Sequence, residues 1–209
     1  TFWLRPPAND SSYAVLARMD EFDAYRGWDV WVQGRRIGMH LVHAYPSDAI
    51  FVLSSTQLKA DAWTLVSVTY DGSGKAEGVR IYYDGKLQKP KVETNTFKRH
   101  TIRTDTPLVI GGRAQASTAH GVGLAGVELW GRALTDGEVE SLSKAQALAQ
   151  IVKLDADERV KAGGGLYDWW LASMDEAYKA AAADAASLEG EHADIRKRGT
   201  VAHVMNEKK

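Results

Sequence analysis

The sequence contains no cysteine among its 209 residues. That absence excludes disulfides, thiol nucleophiles, cysteine-ligated zinc and a covalently attached haem on this chain. No sign of charge dominates, since the formal net charge is −1, and no global field draws in nucleic acid or an anionic membrane. No apolar run approaches the roughly 18 residues that a membrane helix needs. The chain opens Thr1-Phe2-Trp3-Leu4-Arg5-Pro6-Pro7, with neither an initiator Met nor a signal peptide. Its first segment already alternates like a strand, so a fragment whose upstream partner is missing is the expectation.

What is present is ordinary for a globular protein, with 44% hydrophobic and 25% charged residues. The length suits one sizeable domain plus an appendage, or at most two small domains. Residues 1 to about 134 read as strands. Tyr13–Arg18, Gly27–Gln33, Arg36–His43, Ile50–Leu53 and Ala62–Tyr70 are short, rich in β-branched and aromatic residues, and bounded by turn residues. Val79–Tyr83 and Lys86–Gln88 flank Asp84-Gly85, a two-residue hairpin signal because both central residues must accept positive φ. Pro107–Gly112 and Val127–Trp130 are predicted as two further strands. Many short strands with frequent turns predict an antiparallel β-sandwich, a mainly β fold, rather than a parallel α/β sheet.

Thr135-Asp136-Gly137-Glu138 has the spacing of a capping box and predicts a helix through Val139 and Leu142. From about Leu154 the period changes. Leu166, Trp169, Trp170 and Leu171 predict a short helix after Gly163-Gly164-Gly165, and Asp175 to Arg198 reads as one long helix. In it Tyr178, Ala181, Ala185, Leu188, His192 and Ile195 recur at steps of three and four, a narrow seam that wants a close-packed partner. Either the preceding helix covers it, giving an α-helical hairpin tail, or a second chain does. Thr200–Lys209 reads as a strand or linker. The expected division is a sandwich over residues 1–149 and a helical tail over 150–209.

Trp63–Gly72, Val79–Lys86, Pro107–Gly111 and Gly126–Thr135 together resemble the laminin-G-like, concanavalin A-like jelly roll. A more particular resemblance runs through Leu16–Asp20, Tyr25–Trp28 and the helical tail, to the central region of large multidomain planctomycete cytochrome-C-like proteins. The resemblance implies a module of a larger exported protein, periplasmic or extracellular, with flanking domains as partners and haem chemistry in a separate domain. It also implies that the usual first strands of the jelly roll lie before Thr1.

Several chemistries fail on their own requirements. Gly121-Val122-Gly123-Leu124-Ala125-Gly126 fits the Gly-x-Gly-x-x-Gly fingerprint, but no strand precedes it and no helix follows to hold a pyrophosphate, so a loop entering a strand is expected. Glu21-Phe22-Asp23-Ala24-Tyr25-Arg26 begins like the Glu-x-Asp-x-x-Glu strand of laminarinase-type glycosidases, yet Arg26 stands where the general acid belongs and cannot act as one. His40 and His43 differ by three along a strand and point to opposite faces, while His100 and His120 lie in loops and His192 and His203 in the tail, so no metal site is expected. Calcium, which laminin-G-like domains sometimes bind, has Asp20, Asp23 and Asp48 as its candidate ligands. Neither Ser-His-Asp nor Gly-x-Ser-x-Gly appears, and Arg196-Lys197-Arg198 reads as the basic last turn of a helix.

The remaining candidate cluster is Arg18, Asp20, Tyr25, Arg26, Trp28, His40, His43 and Tyr45. A sugar site needs a flat aromatic face for the ring's C–H surface and polar groups for its hydroxyls. Trp28 and Tyr25 are the candidate platform, with Arg18, Asp20 and one histidine as polar partners. In the alternative, Trp28 is core, Trp31 is the exposed ring and Arg18–Asp20 is a bracing salt bridge. Two functions follow: a non-catalytic carbohydrate-binding module without a cofactor, or a structural and protein-interaction module that docks neighbouring domains.

Overall fold

The computed structural model describes residues 1–114 and 116–199. Gln115, and the segment 200–209 with His203, lie outside the described residues. The strands are β1 (Phe2–Arg5), β2 (Ser12–Asp20), β3 (Arg26–Gln33), β4 (Arg36–Ala44), β5 (Asp48–Ser54), β6 (Thr64–Tyr70), β7 (Val79–Tyr83), β8 (Lys86–Leu87), β9 (Pro90–Asn95), β10 (Val109–Ile110) and β11 (Gly123–Ala125). Four helices follow: α1 (Asp136–Ile151), α2 (Ala156–Ala162), α3 (Leu166–Met174) and α4 (Glu176–Arg198). The strands form two antiparallel sheets, ordered β11-β1-β6-β7-β8 and β10-β2-β3-β4-β5-β9. The expected β-sandwich followed by helices is what the chain builds.

The core lies between the sheets. Phe2, Leu4, Val66, Ile81 and Tyr83 from one sheet meet Leu16, Val30, Val32, Ile37, Leu41, Ile50 and Val52 from the other. Period-2 alternation aims each of these side chains inward, and burying each contributes about 1.5–3 kcal/mol. Local rules fix the connections. Asp84 and Gly85 have φ of 48° and 78°, and Tyr83 pairs with Lys86, so this is a two-residue hairpin. A Cβ on Gly85 would also lie 2.8 Å from Ser143 on α1. The Thr135 hydroxyl accepts from Glu138 N–H at 3.3 Å, and the Glu138 carboxylate accepts from Thr135 N–H at 2.8 Å, completing the capping box. Arg132 donates to the same carboxylate, and these bonds hold Glu138 down at about 2. The helix so started runs to Ile151, longer than its sequence signal, and sets Val139 and Leu142 against Tyr82 and Leu134.

Two sequence expectations need correction. Val127–Trp130 is not a strand; β11 is instead Gly123–Ala125, inside the glycine fingerprint itself. Gly126 turns the chain at positive φ and ends the regular ladder with β1. Beyond it Glu128 still pairs, donating N–H to Thr1 O at 2.8 Å and accepting from the Thr1 nitrogen at 3.0 Å, but this single pair does not extend into a strand. Leu129 and Trp130 are exposed as a result. Pro90–Asn95, unpredicted, is the outermost strand of the larger sheet, with Pro90 in the first position, where a missing N–H costs least.

Contacts divide the chain into units at residues 1–146 and 147–209. In the second unit Asp155 and Asp175 cap α2 and α4 by accepting from Glu158 N–H and Tyr178 N–H. Glu176–Arg198, capped by Asp175, is the long helix that the period predicts. Within this unit α3 packs against α4, the helical hairpin that was expected, but the two arms are unequal. At about 1.5 Å per residue, nine-residue α3 spans roughly 14 Å against roughly 35 Å for α4. It cannot cover the seam, and Leu188 and Ile195 stay exposed.

Candidate functional site

Parity along the larger sheet decides its outer face. On β3, Trp28, Val30 and Val32 face the core, so Gly27, Asp29, Trp31 and Gln33 face away from it. Cross-strand register then lays down three rows: Ala17–Asp29–His40–Phe51, Met19–Gly27–Val42–Ala49 and Ala14–Trp31–Gly38–Leu53. Small residues in every row leave room between the large ones. The result is a depression of about 270 Å³ lined by Tyr25, Trp31, Gln33, His40, Tyr45 and Phe51, with Met19, Val42 and Arg113.

Beneath it lies a charged network. Asp29 is fully buried. Its Oδ1 accepts from His40 Nδ1–H at 2.7 Å, and its Oδ2 accepts from Arg113 Nε–H and Nη2–H at 2.8 and 2.6 Å. A buried carboxylate is tolerated only when paired and hydrogen-bonded in this way. With Nδ1 donating, neutral His40 keeps a lone pair on Nε2. The imidazole stacks on Phe51 with centroids 3.8 Å apart. Arg113 lies 4.4 Å from the Trp31 ring and 5.4 Å from the Tyr25 ring, and its Nη1 stands 3.9 Å from Glu21. Tyr25 and Tyr45, each 42% exposed, meet edge to face 6.3 Å apart at the rim.

Of the eight residues singled out in the sequence, the structure brings Tyr25, His40 and Tyr45 together here. Trp28 packs against the sandwich core and is no platform; Trp31 takes the outer face. Arg18 makes no ion pair with Asp20. It donates to the carbonyls of Thr106 and Thr104, while Asp20 accepts from Phe22 and Asp23 N–H and shapes the β2–β3 turn. Arg26 pairs with Asp23 at 3.1 Å. His43 points elsewhere, donating from Nδ1 to Thr101 O at 2.8 Å. Sequence reasoning missed Gln33, Phe51 and Arg113 as lining residues. Parity in β3 and β5 could have found the first two; nothing local marks Arg113, which joins Asp29 across 84 positions.

The sequence profile of the Concanavalin A-like lectin/glucanases superfamily, Laminin_G_3, matches residues 1–140. The chain belongs to this superfamily. Solved structures similar to this concanavalin A-like sandwich include the binding domain of Paraclostridial Mosquitocidal Protein 1, with TM-score 0.52, 16% identity, and 69% of this chain and 36% of that chain covered. The botulinum neurotoxin serotype D binding domain is similar at TM-score 0.51 and 14% identity, over 70% of this chain and 35% of that one. The chain thus spans about a third of the length of these neighbours, and at such identities the likeness is one of fold. No curated protein matches the chain.

Within the concanavalin A-like domain, Glu21-Phe22-Asp23-Ala24-Tyr25 forms the turn between β2 and β3, not a strand that presents carboxylates. Among the described residues, one group of three can hold a metal, namely His43, Asp48 and His100, whose ligand atoms lie within 4.8 Å of one another. The expected calcium set of Asp20, Asp23 and Asp48 does not assemble. Asp48 is buried, which raises its pKa, but bonds from Lys98 N–H and His100 outweigh burial and hold it below the usual carboxylate range.

Proposed function

We propose that this concanavalin A-like domain is a non-catalytic carbohydrate-binding module whose site is the outer-face depression. The observation that carries this reading is the exposed pair Tyr25 and Tyr45 standing over Trp31 and His40. Their rings offer C–H-stacking surface, while His40 Nε2, the Gln33 amide and the tyrosine hydroxyls offer hydrogen bonds to sugar hydroxyls. The two guanidinium groups at the site, Arg113 and Arg26, are both committed to carboxylates, Asp29 and Glu21 for the first and Asp23 for the second, and the acids outnumber them by one. The ligand is therefore an uncharged glycan rather than an anionic one. In this reading the module works in the periplasm or outside the cell and holds flanking domains to polysaccharide, as the sequence resemblance to multidomain exported proteins suggests.

A panel of neutral polysaccharides in affinity gels tests this. The wild-type chain is retarded by at least one, and Tyr45→Ala and Tyr25→Ala each lose the retardation while unfolding at the wild-type urea midpoint. Unaltered mobility of the folded chain across the panel would favour the second reading, a docking module. That reading draws on the exposed Tyr178, Leu188 and Ile195 of α4.

A further inference from the structure

We infer that His43, Asp48 and His100 form a binding site for a zinc-class divalent cation, separate from the aromatic depression. His43 lies near the end of β4 and Asp48 begins β5, so the turn between them holds both on one frame. His100 comes from the segment after β9, and its ring lies 5.0 Å from that of His43.

The hydrogen bonds already orient the donor atoms. Thr101 O can only accept, so His43 Nδ1 carries the proton and Nε2 presents its lone pair. A backbone carbonyl in this position is the usual outer partner of a metal-binding imidazole. Asp48 Oδ1 accepts from Lys98 N–H at 2.6 Å, which fixes the carboxylate and leaves Oδ2 against His100 Nδ1 at 2.5 Å. A cation bound here replaces the proton shared by these two groups.

Tetrahedral zinc with bonds of about 2.0–2.1 Å needs donor atoms roughly 3.4 Å apart, inside the present span of 4.8 Å. His43 and Asp48 are held by the sheet. The His100 side chain is 60% exposed and is the donor with room to adjust when a cation binds. Two imidazoles and one carboxylate suit zinc and its first-row neighbours; calcium and magnesium prefer oxygen donors throughout. Exposure at His100 leaves the fourth position to water, the arrangement of an open zinc site.

The untagged full chain titrated with zinc chloride in a calorimeter tests the site. One saturable equivalent per chain is expected, weakened at least about tenfold by His100→Gln and by His43→Gln. His120→Gln serves as the control and leaves it unchanged. Cobalt in place of zinc is expected to give visible d–d bands that His100→Gln abolishes. In His100→Gln the new amide can still donate to Asp48, so the metal-free unfolding midpoint is expected to fall only slightly. Absence of saturable zinc binding overturns the proposal, and so does wild-type affinity in the His43→Gln/His100→Gln double variant. Neither result bears on glycan retention, which depends on other residues.

Discussion

The two faces of the six-stranded sheet are built from the same strands and are held together by different physics. The inner face is Leu16, Val30, Val32, Ile37, Leu41, Ile50 and Val52, an apolar layer closed by the opposing sheet. Only a few residues along, at opposite parity, the outer face carries Asp29, Trp31, His40 and Phe51, with Arg113 reaching in from beyond β10. The inner layer is stabilised by area removed from water, which is non-directional and tolerates exchange of similar volumes. The outer layer depends on one carboxylate satisfied by three donors. Such an arrangement is specific and brittle, because removing any member strands the others.

The sharpest way to break the comparison is Asp29→Ala. It leaves Arg113 and His40 without their shared acceptor, and about 3–5 kcal/mol of unfolding free energy is expected to be lost. Urea denaturation measures it. A loss below about 1 kcal/mol would reduce the outer network to an ordinary surface ion pair.

The two tryptophans of β3 sharpen the contrast at equal side-chain chemistry. Trp28→Ala empties space against the core and is expected to cost about 2–4 kcal/mol, near the lower end for large core aromatics because the ring is only partly buried. Trp31→Ala is expected to cost less than half as much and to abolish glycan retention. Equal stability losses would contradict the assignment of the two rings to different faces. Retained glycan binding in the Trp31 variant would place the ligand elsewhere.

How much of this the sequence discloses follows from the range of each interaction. The Asp84-Gly85 hairpin and the Thr135–Glu138 capping box are complete within four residues, and both are legible. Alternation in β6 is legible too. The Trp28 orientation was available from parity, since Trp28, Val30 and Val32 are in phase while Asp29, Trp31 and Gln33 oppose them. Aromatic chemistry had pointed the other way. The false strand at Val127–Trp130 shows the opposite limit: its residues favour a strand and Glu128 pairs with Thr1, but a strand needs a run of such pairs, and pairing is not local. Arg113 under Trp31, and His100 beside Asp48, are joined across 84 and 52 positions, so only the assembled sheet reveals them.

A smaller effect sits where the inner face breaks its own rule. Tyr13 opens the buried run of β2 at 2% exposure, and its hydroxyl has no hydrogen-bond partner among the described residues. Burial pushes the phenol up to about 12, against an ordinary value near 10. The sign follows from linkage. The unfolded chain releases this proton near pH 10 and the folded chain only near 12, so stability is intact below pH 10 and falls as pH rises from 10 to 12. Tyr13→Phe removes an unsatisfied polar atom while keeping the ring, and a gain of about 1 kcal/mol at pH 7 is expected. Tyr82 and Tyr83 are raised in the same direction and remain in the variant, so the alkaline loss is expected to shrink rather than vanish. Urea midpoints at pH 7 and pH 11 for both proteins check it. A destabilised Tyr13→Phe at pH 7 would mean that the hydroxyl has a partner, and the inner face would then share the polar dependence of the outer one.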